Sequence, residues 1–128
     1  MRNKLLAFVF FICLSSLGFA AIASNETFGL NKALKSNLPV IVKLGADWCY
    51  PCREMKPILI QLAKDFGDKA IFLDLDINKY RELAKEHKVM LIPTTLFYNN
   101  QGKFIYKHVG FINRDQIIKI LKKNKMVR

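Results

Sequence analysis

Hydrophobic residues along the chain alternate between the spacing of a β-strand and that of an α-helix. Residues 40–44, Val-Ile-Val-Lys-Leu, form an apolar run of strand length. Over residues 55–66, apolar side chains recur every three or four positions, which predicts an amphipathic helix. Pro51 suits the first turn of this helix, whereas Pro57 lies inside it and should kink it. The pattern therefore predicts a buried strand followed by a long helix.

Similar patterns extend the prediction to the rest of the chain. Two strands joined through a helix should run parallel with a right-handed crossover, whereas a hairpin adds antiparallel strands. We therefore predict an α/β fold in which a mixed four-stranded sheet carries helices on both faces. The further elements are a weak helix over 25–36, a strand over 70–75, a short helix over 80–87, a hairpin with strands over 95–98 and 103–109, and a last helix that Asn113 caps, with Ile117, Ile118 and Leu121 on its inner face.

The first 23 residues have the anatomy of a secretory signal peptide. Basic residues 1–4 precede an apolar run over 5–19, and the tripeptide 21–23, Ala-Ile-Ala, offers a cleavage site between small residues. We expect cleavage after Ala23, which would leave residues 24–128 as one domain outside the cytoplasm, in the periplasm of a bacterium. The alternative is an uncleaved membrane anchor, because the apolar run over 5–23 is just long enough to span a bilayer.

The chain is strongly basic, with 21 Lys and Arg against 10 Asp and Glu and a net charge of +11. Such a charge can serve an acidic partner, an anionic membrane or a nucleic acid. The basic residues are spread along the chain, apart from a cluster over 119–128, and no arginine-rich or RNA-recognition motif is present. We interpret the charge as a solvated basic surface and predict no binding of nucleic acid.

The cysteines indicate redox chemistry. Cys13 lies in the predicted signal peptide, so the domain keeps only Cys49 and Cys52, which are too close in sequence to cross-link distant elements. Thiol–disulfide exchange needs one thiolate that attacks and a second thiol that resolves the mixed disulfide. Because a helix N-terminus favours a thiolate, we assign the attack to an exposed Cys49 and the resolving step to Cys52, one turn deeper. Trp48 would shield the site on one side.

A zinc half-site is the alternative interpretation of the two cysteines. Structural zinc needs four ligands, usually a second such pair or two histidines. The domain has no third cysteine, and His87 and His108 are far apart in sequence and lie in different predicted elements. His87 fits the apolar stripe of its helix and is expected at the edge of the core. We therefore predict neither a metal nor any other cofactor.

Several motifs together resemble the thioredoxin family, over about residues 25–121. The segment 48–52, Trp-Cys-Tyr-Pro-Cys, is similar to the W-C-x-P-C centre of that family. Pro57 resembles the proline that kinks its active-site helix. The segment 92–94, Ile-Pro-Thr, resembles the one whose proline is cis and faces the cysteines, and 109–111, Val-Gly-Phe, is similar to its third substrate-facing loop.

This resemblance implies a thioredoxin fold and a thiol–disulfide oxidoreductase, a monomer that acts on protein disulfides. It further implies that the enzyme reduces the disulfides of exported proteins, with a membrane-bound thiol reductase as its electron donor. The alternatives are a disulfide oxidase or isomerase, or a binding module that has kept the fold without the activity. The residues expected to contact substrate beside the catalytic Cys49 and Cys52 are Trp48, Tyr50, Pro51, Ile92, Pro93 and Gly110.

The chain also departs from the family pattern. Lys43 occupies the position, six before the first cysteine, where thioredoxins usually hold a buried acid that helps to deprotonate the second cysteine. A lysine there could favour thiolates by its charge, or could extend its ammonium to the surface. Tyr50 replaces a common glycine between the cysteines, and the first strand of full-length thioredoxins is expected to be absent.

Overall fold

The computed structural model describes residues 29–128. The predicted signal peptide, Cys13 and the first part of the weak N-terminal helix lie outside the described residues. Within them no helix is both long and apolar enough to cross a membrane. The elements in chain order are α1 (Leu30–Leu34), β1 (Val40–Gly45), α2 (Tyr50–Phe66), β2 (Ile71–Asp76), α3 (Arg81–Glu86), β3 (Thr94–Tyr98), β4 (Phe104–Val109) and α4 (Arg114–Lys123).

The four strands form one mixed sheet in the order β2-β1-β3-β4. β1 runs parallel to β2, to which α2 connects it, and antiparallel to β3, while β3 and β4 form the predicted hairpin. Every residue of β1 is buried, since a strand with neighbours on both sides and helices on both faces meets no solvent. This central position explains the continuous apolar run over 40–44 and confirms the predicted α/β fold.

Helices cover both faces of the sheet, as predicted. On one face α2 and α4 pack over a core that includes Ile41 and Phe97 from the central strands. On the other face α1 and α3 cover a second core that includes Val42 and Leu96 from the same two strands. Neighbouring residues of β1 therefore alternate between two cores, which is the expected geometry of a strand.

The helix α2 carries the most important part of the site. It begins at Tyr50, with Cys49 as its N-cap and Pro51 in its first turn as predicted, and it continues through Pro57. Its buried stripe consists of Cys52, Met55, Leu59 and Leu62, spaced at three and four residues. It ends at Phe66 and is followed by the C-cap Gly67, whose positive φ of 51° suits a residue without a side chain.

The C-terminal helix α4 begins with a complete capping box. The Asn113 side chain accepts a hydrogen bond from the Gln116 backbone N–H at 2.9 Å, and the Gln116 side chain accepts one from the Asn113 N–H at 3.0 Å. Two of the otherwise unpaired backbone donors of this region are thereby satisfied. The predicted cap at Asn113 is confirmed.

Candidate active site

The two cysteines lie at the N-terminal end of α2 and form a disulfide. Their Cα atoms are 5.2 Å apart, within the usual range for a disulfide. Cys49 is the N-cap and Cys52 belongs to the first turn, so their predicted order along the helix is confirmed. The first turn contains no acidic residue, and therefore nothing in it neutralises the positive end of the helix dipole beside Cys49.

The prediction that Cys49 is exposed is wrong. Only 6% of Cys49 and 1% of Cys52 are accessible to solvent. The physical reason is a small apolar cluster in which Ala46 and Ile92 pack against the two cysteines. Cys49 remains the more accessible of the two, so a disulfide substrate would reach it before Cys52.

The segment 92–94 lies beside the cysteines, as the resemblance implies. The Ile92–Pro93 peptide bond is cis, which confirms that prediction. The Thr94 hydroxyl donates a hydrogen bond to the Leu91 carbonyl at 2.6 Å and holds this turn together. The Gly110 N–H donates to the Pro93 carbonyl at 2.7 Å, so Gly110 lies next to the turn. The structure thus brings Ile92, Pro93 and Gly110 to one place near the disulfide.

Exposed apolar side chains adjoin the disulfide in the chain. Trp48 and Tyr50 flank Cys49 in the chain and are largely exposed, Trp48 at 74%. Pro51 is exposed as well. Their contact with substrate stays a prediction, but their position beside the disulfide agrees with it.

Further exposed apolar residues beside the cis-proline segment were not among the predicted site residues. Met90 and Leu91 precede Ile92, and Met90 has 88% of its surface exposed. Val109 and Phe111 flank Gly110 and are about half exposed. The sequence signal was available, because Met90 and Leu91 directly precede the predicted segment 92–94, and Val109 and Phe111 lie within the predicted loop 109–111. We refer to Trp48, Tyr50, Met90, Leu91, Val109 and Phe111 as the apolar rim.

Lys43 is buried, which rules out the alternative that its ammonium extends to the surface. Only 3% of the residue is exposed. Its ammonium forms an ion pair with Asp74, with Nζ and Oδ1 2.7 Å apart, and donates a hydrogen bond to the Cys52 carbonyl at 3.1 Å. Asp74 is the direct neighbour of Lys43 in the parallel β1–β2 register. We call Lys43 and Asp74 the buried pair, in which the ammonium is buried and the Asp74 side chain keeps 18% of its surface exposed.

The histidines serve structural contacts. His87 follows α3, and its Nε2 is 2.7 Å from the hydroxyl of Tyr98, which confirms its predicted place at the edge of the core. Burial raises the pKa of the Tyr98 hydroxyl above its ordinary value. His108 Nε2 lies 3.2 Å from the Phe111 carbonyl. Among residues 29–128, no group of three or more His, Cys, Asp or Glu side chains could hold a metal ion.

Most of this chain is similar to known thioredoxins. The family model described as Thioredoxin matches residues 20–123. The chain is 38% identical to thioredoxin H4 of Arabidopsis thaliana over 96 residues, 75% of this chain and 80% of the relative. It is 33% identical to a thioredoxin of Mycoplasmoides gallisepticum over 93 residues, 73% of this chain and 91% of the relative.

A solved structure shows the same likeness. It comes from work on the thiol-resolving mechanism of a yeast mitochondrial 1-Cys peroxiredoxin through the glutathione and thioredoxin systems. The two chains share 29% identity with a TM-score of 0.61, over 70% of this chain and 82% of the other.

Proposed function

The chain belongs to the thioredoxin family and is a thiol–disulfide oxidoreductase, and we propose that it reduces the disulfides of exported proteins outside the cytoplasm. The observation that carries the proposal is the Cys49–Cys52 disulfide at the start of α2, next to the cis-proline segment and the apolar rim. A second observation is the signal-peptide pattern of residues 1–23, which supports export.

The reaction follows from the unequal positions of the two cysteines. The Cys49 thiolate attacks one sulfur of the substrate disulfide, forming a mixed disulfide and releasing the other sulfur as a thiolate. Cys52 then loses its proton and attacks the Cys49 sulfur, so that the second substrate sulfur leaves as a thiolate. Both substrate thiolates take protons from water. The substrate gains two electrons, and the enzyme is left with the Cys49–Cys52 disulfide.

Protein substrates suit the surface around the disulfide. The apolar rim offers large exposed side chains on three separate segments, which an unfolded or extended polypeptide can cover. Trp48 and Tyr50 adjoin Cys49 in the chain, and the other rim residues adjoin the cis-proline turn, whose Ile92 packs against Cys49. A segment bound on the rim would therefore place its disulfide against Cys49.

Continued reduction outside the cytoplasm needs a supply of electrons. Each turnover leaves a disulfide that two electrons and two protons must return to the dithiol. We propose a membrane-bound thiol reductase as the donor, with the enzyme acting as a monomer and without nucleic acid. The basic surface is then a solvated one, not a binding site for a polyanion.

A disulfide oxidase or isomerase is the second candidate, and Lys43 favours it. A buried ammonium beside a dithiol stabilises the thiolate form, and stabilising the reduced form makes a dithiol couple more oxidising. The redox potential separates the candidates. A value near about −270 mV indicates a reductant, whereas one near about −120 mV indicates an oxidant.

Trapping in cells tests the proposal directly. The full chain with Cys52→Ser, expressed in a Gram-negative bacterium, should accumulate mixed disulfides through Cys49. The matched control Cys49→Ser should trap nothing, because it lacks the attacking thiol. Mass spectrometry should identify exported proteins in the complexes, and N-terminal sequencing should find a chain that begins at Ser24. Complexes with cytoplasmic proteins alone, or a chain that begins at Met1 in the cytoplasmic fraction, would contradict export.

A further inference from the structure

The buried pair lies directly beneath the resolving cysteine. The Lys43 ammonium contacts both the Asp74 carboxylate and the Cys52 carbonyl, whereas no hydrogen bond joins Asp74 to Cys52 among the described contacts. The pair therefore presents its positive end to Cys52. Burying a lysine is costly unless the charge is paired, and a purely apolar side chain would fill this space without that cost.

Gly45 allows the sulfur and the lysine to approach each other. A Cβ atom at Gly45 would lie 2.9 Å from the Cys52 sulfur and 3.1 Å from Cε of Lys43. These two atoms are consequently no more than about 6 Å apart, since each lies within about 3 Å of the same point. The ammonium is bonded to this Cε atom, and a cation close to a thiol favours the ionised form of the thiol.

Cys52 and the buried pair also line one pocket of about 670 Å³ that is open to solvent. The pocket gives the proton of Cys52 a path to water. Its other charged or titratable groups come from the β1–α2 loop, from α2, and from β2 with the loop that follows it. They are Asp47, Arg53, Lys56, Asp76, Lys79 and Tyr80.

We propose that Lys43, held in place by Asp74, stabilises the Cys52 thiolate in the resolving step. The proton of Cys52 passes to water in the pocket, and the thiolate then attacks the Cys49 sulfur of the mixed disulfide. A new sulfur–sulfur bond forms between the cysteines as the bond to the substrate breaks. Lys43 is a positioning residue, because its ammonium touches the Cys52 carbonyl and not the reacting sulfur.

This inference goes beyond the proposed function. It concerns how the second thiol ionises, and it depends on exchange by Cys49 and Cys52 but not on export, on the electron donor or on the direction of the reaction. A failure of the export experiment leaves it intact, and its own failure leaves export intact.

The test measures the ionisation of Cys52 in isolation. The full chain with Cys49→Ser is alkylated with iodoacetamide across a range of pH, and peptide mass spectrometry follows Cys52 separately from Cys13. Replacing the buried pair by Lys43→Met with Asp74→Asn should move the midpoint of alkylation upward by about one pH unit, a tenfold loss of thiolate below the midpoint. Exchanging the charges by Lys43→Asp with Asp74→Lys should move it further upward.

Control variants keep the result interpretable. Lys56→Met removes another cation that lines the pocket and should change the midpoint by less than about 0.3 units, because Lys56 makes no contact with Cys52 among the described side-chain hydrogen bonds. Asp74→Asn alone removes a negative charge and should leave the midpoint unchanged or lower it. Urea unfolding of each variant checks that it is folded.

The outcomes are distinct. An upward shift of the alkylation midpoint in Lys43→Met with Asp74→Asn, the neutral variant, supports the proposal. The same shift in Lys43→Asp with Asp74→Lys, if that variant folds, supports it further. An unchanged midpoint in a folded neutral variant shows that the buried pair is structural only. A downward shift of the alkylation midpoint in that variant shows that the Asp74 carboxylate governs the ionisation of Cys52 and overturns the proposal. An upward shift of the midpoint in Asp74→Asn alone overturns it as well.

Discussion

Replacement of Gly45 by alanine should destabilise the oxidised protein, because the added methyl group has no room. The methyl carbon would lie 2.9 Å from the Cys52 sulfur and 3.1 Å from both Cys52 Cβ and Lys43 Cε. Favourable contacts between heavy atoms need about 3.5–4.0 Å, so three atoms must each move by about 0.4 Å or more. Gly45 cannot retreat easily, because its carbonyl accepts a hydrogen bond from Ile77 N–H at 2.9 Å.

The expected magnitude is the balance of two effects. Overpacking a well-filled core costs about 1–3 kcal/mol. Replacing glycine by alanine at an accessible backbone conformation returns about 0.4–1 kcal/mol by restricting the unfolded chain. The midpoints of the two ranges give a net loss of about 1.3 kcal/mol. Each kcal/mol corresponds to a fall in Tm of roughly 4–8 °C for a domain of this size.

The assay is urea unfolding of the oxidised protein, with Gly29→Ala as the matched control. A Cβ at Gly29 would meet no atom within 4 Å, and its φ of −51° is open to any residue. The control should stay within about 0.5 kcal/mol of the unmodified chain. If Gly45→Ala is as stable as this control, the close approach of Lys43 and Cys52 over Gly45 is wrong.

Three further predictions concern other parts of the domain. Hydrogen bonds from Arg114 and then from Gln61 lower the pKa of the Asp65 carboxyl below its ordinary value of 3.8. A lowered folded pKa stabilises the protein above the unfolded pKa, and this gain is lost as the pH falls through the folded value. Asp65→Asn should therefore lower stability at neutral pH and not in strong acid, as urea unfolding at the two pH values would show. Asn113→Ala should cost about 1 kcal/mol in the same assay, whereas Asn113→Ser should retain most of the cap. Trp48→Ala should change stability by less than about 0.5 kcal/mol but should raise KM for insulin severalfold and leave the reduction of glutathione disulfide unchanged.

The sequence predicts those parts of the fold that depend on local periodicity and on short motifs. The apolar run of β1, the stripe along α2 and the cap at Asn113 each lie within a few consecutive residues, and each is found where it is expected. The cis bond at Ile92–Pro93 could likewise be predicted from the motif 92–94, because cis peptide bonds are common only before proline.

Features that depend on strand register, or on contacts between residues far apart in the chain, could not be predicted from local sequence patterns. The partner of Lys43 is 31 positions away, and only the pairing of β1 with β2 brings Asp74 beside it. Burial of Cys49 depends on Ile92, which arrives from another part of the chain. Hydrophobic spacing identifies which residues are inside an element, but it does not say which polar side chains meet between elements.

The continuity of α2 has a consequence for motion in the native protein. The reactive end of this helix and its buried residues Met55, Leu59 and Leu62 belong to one uninterrupted element that also contacts α4. Local unfolding of the first turn of α2 would separate Cys52 from the interior. Local unfolding of the remaining turns would disrupt the core that α2 shares with α4. The first helical hydrogen bond runs from Arg53 N–H to the Cys49 carbonyl, so the backbone amides from Arg53 to Leu62, apart from Pro57, which has none, should exchange with deuterium at the slow rate set by global unfolding. The amide of the exposed residue Met90 should exchange much sooner. The reactive centre would then be as long-lived as the domain itself, and heat would abolish its chemistry only at the temperature at which the whole domain unfolds.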